Sequence, residues 1–253
     1  MLRAALVLLL AAAQFGTSSL ARFVDGARPI AVAVSPNPPL EQPAGYAFAI
    51  WFVIFALSVI FAVRHALGRE DEGVGDPTLG WLAAGAFAAN NVWMVLAQIY
   101  GNGWYLVLVI WLILGFASAS LVRIVREPNF WSTADRMIAA ACFGLLSAWL
   151  TAAAWLNTAS YAVLLAGAPI GGDATTQAFA VIAAISVTGL IGLLLTRWQP
   201  FYAVTLAWAF TAVVVRNLDG SDIIATVAAV GACAALVIAA TETLRRGLVP
   251  LAH

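Results

Sequence analysis

"PAGYAFAIWFVIFALSVIFAVRHAL", residues 43–67, opens like a turn, runs without a charge from Pro43 to Val63, and stops at Arg64 and His65. A helix needs about 20 apolar residues to cross the ~30 Å hydrocarbon layer of a bilayer, and this stretch meets that requirement. Tyr46, Phe48 and Trp51 crowd its opening turns, where amphipathic rings belong at a membrane interface.

Working outward, apolar runs of this kind recur along nearly the whole chain. Its 253 residues are 63% hydrophobic and 9% charged, and all twelve basic residues are arginines. That is membrane-protein composition, and it leaves no room for a soluble domain. Eight spans are read, at roughly 4–21, 45–67, 79–100, 104–125, 135–157, 176–196, 200–216 and 222–244. The fifth could continue through "SYAVLLAGA" to "PIGGD". The first has an arginine followed by an apolar stretch; it reads as a retained helix, with a cleaved signal over residues 1–21 as the alternative.

Nine arginines (Arg3, Arg64, Arg69, Arg123, Arg126, Arg136, Arg197, Arg245 and Arg246) fall on one side of this arrangement and three (Arg22, Arg28 and Arg216) on the other. The positive-inside rule then makes both termini cytoplasmic, with the proline-rich segment 22–43 facing outward in an extended path. The acidic run "REDEGVGD" reads as a solvated connector.

The formal net charge is zero and no phosphate-cradling loop appears, which sets nucleic acid aside. No Asp, Glu or Arg lies at mid-span, which disfavours ion-coupled transport and intramembrane hydrolysis, since both need an ionisable group within the bilayer. Two histidines, His65 and His253, do not make a metal or haem site, and His65 reads as interfacial. Cys142 and Cys233 read as small buried residues rather than a disulfide.

Among the uncharged polar residues inside spans, Asn90, Asn91 and, at the end of the fifth, Asn157 stand out. Each needs a partner in hydrocarbon, from a neighbouring helix or from a ligand. Of the ten tryptophans, Trp81, Trp104, Trp131 and Trp198 fall at span ends as belt residues, whereas Trp51, Trp93 and Trp149 lie within spans. Asn90 and Trp93 share a helical face; Phe48, Trp51 and Phe55 form a stripe, and so do Trp149, Ala153 and Leu156, with Asn157 beside them. Converging stripes would suit a flat apolar ligand such as a porphyrin, a sterol or a carotenoid. Periodicity alone favours plain packing by bulky rings.

Three motifs, in order, resemble the TspO/MBR family of tryptophan-rich sensory proteins. "PAGYAFAIWFVIF" stands where that family opens its second helix with Pro-Pro-x-Trp-x-Phe, "ANNVW" where its third carries Leu-Asn-x-x-Trp, and "WLTAAAWLN" where its fifth spaces Trp and Leu-Asn. Ala44 replaces the second proline, Tyr46 replaces the first tryptophan, and Phe48 to Trp51 is one residue shorter than in compact members. The chain looks like the longer bacterial branch, with a family-like core over residues 1–167 and three additional helices over 168–253.

The resemblance implies an all-α integral membrane protein whose first five helices form a bundle. It also implies a pocket under the loop joining the first two, lined by Tyr46, Phe48, Trp51, Asn90, Trp93, Trp149, Ala153 and Asn157. Its implied ligand is a porphyrin or haem-type tetrapyrrole or, in some members, a sterol, with no required cofactor and no metal. Its implied role is sensing or handling rather than conventional enzymology, although some members are linked to light-dependent porphyrin breakdown. Two other readings stand beside it. The eight spans would also serve facilitated passage of a neutral or amphipathic solute. The small-residue stretches "GLIGLLL" and "AAVGACAALVIAA" would allow assembly with another membrane complex, and a homodimer stays open.

Overall fold

The computed structural model describes residues 2–30, 38–69, 73–127 and 132–246. Among them are eight α-helices: α1 (Leu2–Thr17), α2 (Ile50–Leu67), α3 (Pro77–Tyr100), α4 (Trp104–Arg126), α5 (Thr133–Ala166), α6 (Ala174–Leu195), α7 (Pro200–Arg216) and α8 (Asp222–Arg246). Six apolar segments are long enough to cross a membrane: the short 3-10 turn Gly45–Ala49 together with α2, and α3, α4, α5, α6 and α8; α1 and α7 are shorter apolar helices. The chain is an all-α integral membrane protein. Trp131, residues 70–72 of the acidic run and His253 lie outside the described residues.

Helix ends follow local chemistry. Asp76 caps α3 by accepting from the backbone N–H groups of Thr78 and Leu79, with Pro77 in the first turn, and its carboxylate also pairs with Arg123 of α4. Ser132 caps α5 and donates to Asp135, whose other oxygen accepts from Arg64 of α2 at 2.6 Å. α5 then continues well past Asn157 through "SYAVLLA" until Gly167, at φ 69, turns the chain in the left-handed region. At 34 residues α5 is about 51 Å long, more than a bilayer core needs.

The first five helices close into a ring in the order α1, α2, α5, α4, α3, each packed on its neighbours. The remaining helices attach to the outside of α5: α6 and α7 both pack on it, and α8 packs mainly on α7. α5 is therefore a wall common to both groups, with 78% of its most apolar stretch buried. Thr151 and Tyr202 join α5 to α7 through hydroxyls 2.7 Å apart. The Trp155 indole donates to Thr188 of α6 at 3.1 Å, and Trp111 of α4 donates to Thr158 of α5 at 3.2 Å.

α1 is a bundle helix, held by amides. Gln14, fully buried, accepts from Asn90 Nδ2 of α3 at 2.6 Å. Asn91 donates to Leu10 O and Phe87 O and accepts from the Thr17 hydroxyl, so its polar groups are all used in tying α3 to α1. Gln98 donates to Thr17 O and accepts from the backbone N–H of Ala21, closing the far end of the same pair.

One expectation needs correcting, that of a buried Cys233. His65, in the last turn of α2, is packed inside the protein: Nδ1 lies 2.6 Å from Val74 O, Nε2 accepts from Arg3, and the ring stacks on Phe61. The run "GVG" at Gly73–Gly75 folds back over the end of α2 and covers it. Cys233 is exposed on α8, because that helix buries only the face it turns toward α7, whereas Cys142 is buried; both thiols are free.

Gln14→Ala would strand Asn90 Nδ2 in the bundle. A thermal midpoint measured in detergent micelles should fall by the equivalent of about 1 kcal/mol. The double variant Gln14→Leu/Asn90→Leu should recover most of it, because no amide is then left unpaired.

Candidate functional site

The polar and aromatic residues within the ring converge at the end of the bundle where α1 connects to α2. Gly45–Ala49 forms a short 3-10 helix that runs directly into α2. Side chains three apart eclipse in a 3-10 turn, so Phe48 and Trp51 face the same way despite the compressed spacing. Both rings meet Trp149 of α5 edge-on, at centroid distances of 5.6 Å and 6.4 Å. Trp51 also lies 5.5 Å from Phe55, which is itself buried in the core behind it.

These rings border a cavity of about 50 Å³, lined also by Asn90 and Trp93 of α3 and by Ala153 and Asn157 of α5. Gln42 and Pro43 from the segment before α2 close it from above, so the cavity lies under the α1–α2 connection. The lining is mostly apolar, and Ala153, one turn from Trp149, leaves open space that a larger side chain would fill.

Tyr46 is brought elsewhere. Its ring meets Trp208 of α7 edge-on at 5.4 Å, and it is not among the lining residues. A 3-10 turn rotates the chain by a third of a revolution per residue, which carries Tyr46 away from the face shared by Phe48 and Trp51. Sequence reasoning missed Gln42, Pro43, Ile110, Leu150, Ala152 and Ser160 as lining residues, and Gln14 as the partner of Asn90. A glutamine in the middle of an apolar run was the signal that could have exposed Gln14.

Hydrogen bonding separates the three asparagines. Asn91 is saturated on the α1 side, and Asn157 donates to Ala153 O of its own helix at 2.9 Å. Asn90 spends its N–H on Gln14, and its Oδ1 has no hydrogen-bond partner among the described residues; nor has Trp93 Nε1. Both residues line the cavity and are nearly inaccessible, at 0% and 5% exposure. The residues that border the cavity thus include one buried acceptor and one buried donor without a partner among the described residues. Among the described residues no three His, Cys, Asp or Glu side chains group to hold a metal ion.

Next to the roof sits Glu41, 1% exposed, with Oε1 accepting from Gln177 of α6 at 2.7 Å and Oε2 unpartnered among the described residues. Burial raises its carboxyl above the ordinary value, and the hydrogen bonds from Gln177 and its own backbone only partly oppose this.

An all-α bundle with six helices long and apolar enough to cross a membrane, arranged around an aromatic cavity, defines a helical integral membrane protein. The family model described as TSPO-like protein matches residues 4–241, a match that takes in α6 and α7 and most of α8 as well as the ring. The chain belongs to the TspO/MBR family of TSPO-like proteins. No curated protein and no solved structure matches it.

Because the Glu41 pKa is raised in the folded chain, folding takes up a proton between the ordinary value of 4.5 and the raised one. Stability should therefore increase as pH falls through the raised value and level off below 4.5. Glu41→Gln should raise the thermal midpoint at pH 7.5 and flatten its dependence on pH across that window, as followed by unfolding scans between pH 4.5 and 8.

Proposed function

We propose that this protein is a membrane receptor or handling protein for a flat, mainly apolar ligand of the tetrapyrrole class, held among Phe48, Trp51, Trp93 and Trp149. The observation that carries the reading is the unpartnered pair Asn90 Oδ1 and Trp93 Nε1, buried on two residues that border the cavity. A buried polar atom without a partner costs roughly 1–3 kcal/mol, so such pairs are uncommon unless something completes them. A ligand edge offering one donor and one acceptor would satisfy both, while its faces pack on the rings. Membership of the TspO/MBR family supports the same reading.

Size imposes a condition. About 50 Å³ admits a few water molecules, whereas pockets for drug-sized ligands run to about 300–1,000 Å³. The described cavity is therefore a closed form, and a tetrapyrrole is admitted when the roof around Gln42 and Pro43 lifts and the rings turn aside.

Titration of the purified protein with protoporphyrin should quench tryptophan emission and shift the porphyrin absorbance. Trp51→Ala, Trp93→Ala and Trp149→Ala should each weaken binding roughly 3- to 10-fold, the scale of one aromatic contact. Unchanged affinity in all three sinks the assignment of this cavity. The absorbance spectrum of protein purified from its native membrane distinguishes ligand classes directly, since a Soret band marks a tetrapyrrole and a three-banded visible pattern a carotenoid.

A further inference from the structure

The segment leading into α2 is irregular, and its backbone groups need partners from elsewhere. On both sides of Gln42 and Pro43 those partners come from α6 and α7, helices outside the ring. Before the two roof residues, Arg216 donates to Pro38 O at 3.1 Å, and Asn217, directly after α7, donates to Leu40 O at 2.8 Å. Gln177 of α6 holds the Glu41 carboxylate. After them, the Ala44 N–H donates to Ala212 O at 2.9 Å, and the Trp208 indole donates to Ala47 O at 3.1 Å while meeting the Tyr46 ring.

Two of these anchors are themselves fixed. Asn217 is 1% exposed and also donates to Val213 O of α7, and Gln177, 4% exposed, uses its Oε1 to accept from the Ile170 N–H. α7 in turn is tied to the ring through Tyr202 and Thr151. The roof is thus clamped by a frame that rests on α5, the same helix that supplies Trp149, Ala153 and Asn157 to the cavity floor.

We propose that Gln177, Trp208 and Asn217 are positioning residues for the cavity: α6 and α7 hold the roof segment down and so set the rate at which a ligand gains access. This rests on the ligand-binding reading above. It gives the helices after residue 167 a role that Tyr46, turned toward Trp208 rather than into the cavity, also fits. Loss of one anchoring hydrogen bond should raise the population of the lifted roof about 3- to 10-fold.

The test uses the full chain in lipid nanodiscs, with Trp208→Phe, which keeps a ring but removes the donor, Asn217→Ala and Gln177→Ala. Amide exchange of the peptide spanning 40–48 should speed up about 3- to 10-fold in each variant, while exchange in α3 stays as in the parent and shows that the bundle is intact. Stopped-flow quenching by protoporphyrin should show association and dissociation accelerated together, with a smaller change in affinity. Unchanged exchange at 40–48 in all three variants overturns the anchoring. Faster exchange with an unchanged association rate overturns the control of access. Absence of quenching in the parent protein sinks the tetrapyrrole reading and the control of tetrapyrrole access with it, while the exchange rates still decide the anchoring for or against.

Discussion

α5 is the element that the rest of the molecule leans on. It closes the ring between α2 and α4, carries α6 and α7 on its outer side, and supplies the cavity with Trp149, Ala153 and Asn157. In hydrocarbon there is no hydrophobic drive between helices, so association depends on close packing and on hydrogen bonds between side chains. α5 meets that condition on every side. Cys142 Sγ lies near Ser58 of α2, Thr158 accepts from Trp111 of α4, Trp155 donates to Thr188 of α6, and Thr151 pairs with Tyr202 of α7. A helix used on all faces leaves little surface for lipid, which accounts for its deep burial.

The amides divide the interior into a finished part and an unfinished one. Along α1 and α3, Asn91, Gln98 and Thr17 use one another and nearby carbonyls, and this pair of helices is locked. One helical position away, Asn90 is only half used and Trp93 not at all. The difference is direction: a residue step of about 100° turns Asn91 toward α1 and Asn90 toward both Gln14 and the cavity. The two side-chain amides Asn91 and Gln98 are therefore spent on holding α1 to α3, whereas Asn90 Oδ1 and Trp93 Nε1, on residues that border the cavity, are buried without a hydrogen-bond partner among the described residues.

Much of the architecture was legible in the residues. Seven of the eight spans appear within a few residues of their expected ends, because Asp76, Asp173 and Gln199 are caps and Pro77 and Pro200 are start signals, while α5 starts at its Ser132 cap as expected but runs on to Gly167. The end of α5 was the weak point, since "SYAVLLA" is as apolar as the span before it and nothing before Gly167 stops a helix. Seven of the eight residues expected to line a cavity lie around one, since helical spacing put them on common faces and the motifs placed those faces on α2, α3 and α5. Tyr46 departs because it lies two residues before Phe48, a step that carries it off the shared face in 3-10 or α geometry alike, and the resemblance rather than the spacing had placed it in the cavity.

What the sequence determined by itself is the count of the helices, their membrane nature, the family, and which side chains share a face; each follows from runs, caps and spacing within one segment. Only the tertiary structure decided which faces meet. The pairing of Gln14 with Asn90, the turn of Tyr46 toward Trp208, and the clamping of Leu40 to Ala47 by α6 and α7 join residues 76 to 177 positions apart. Local propensity carries no record of such contacts. They are set by the ring closing on α5, and that closure determines that the stretch beginning "PAGYAF" is the roof of a cavity rather than only the start of a helix.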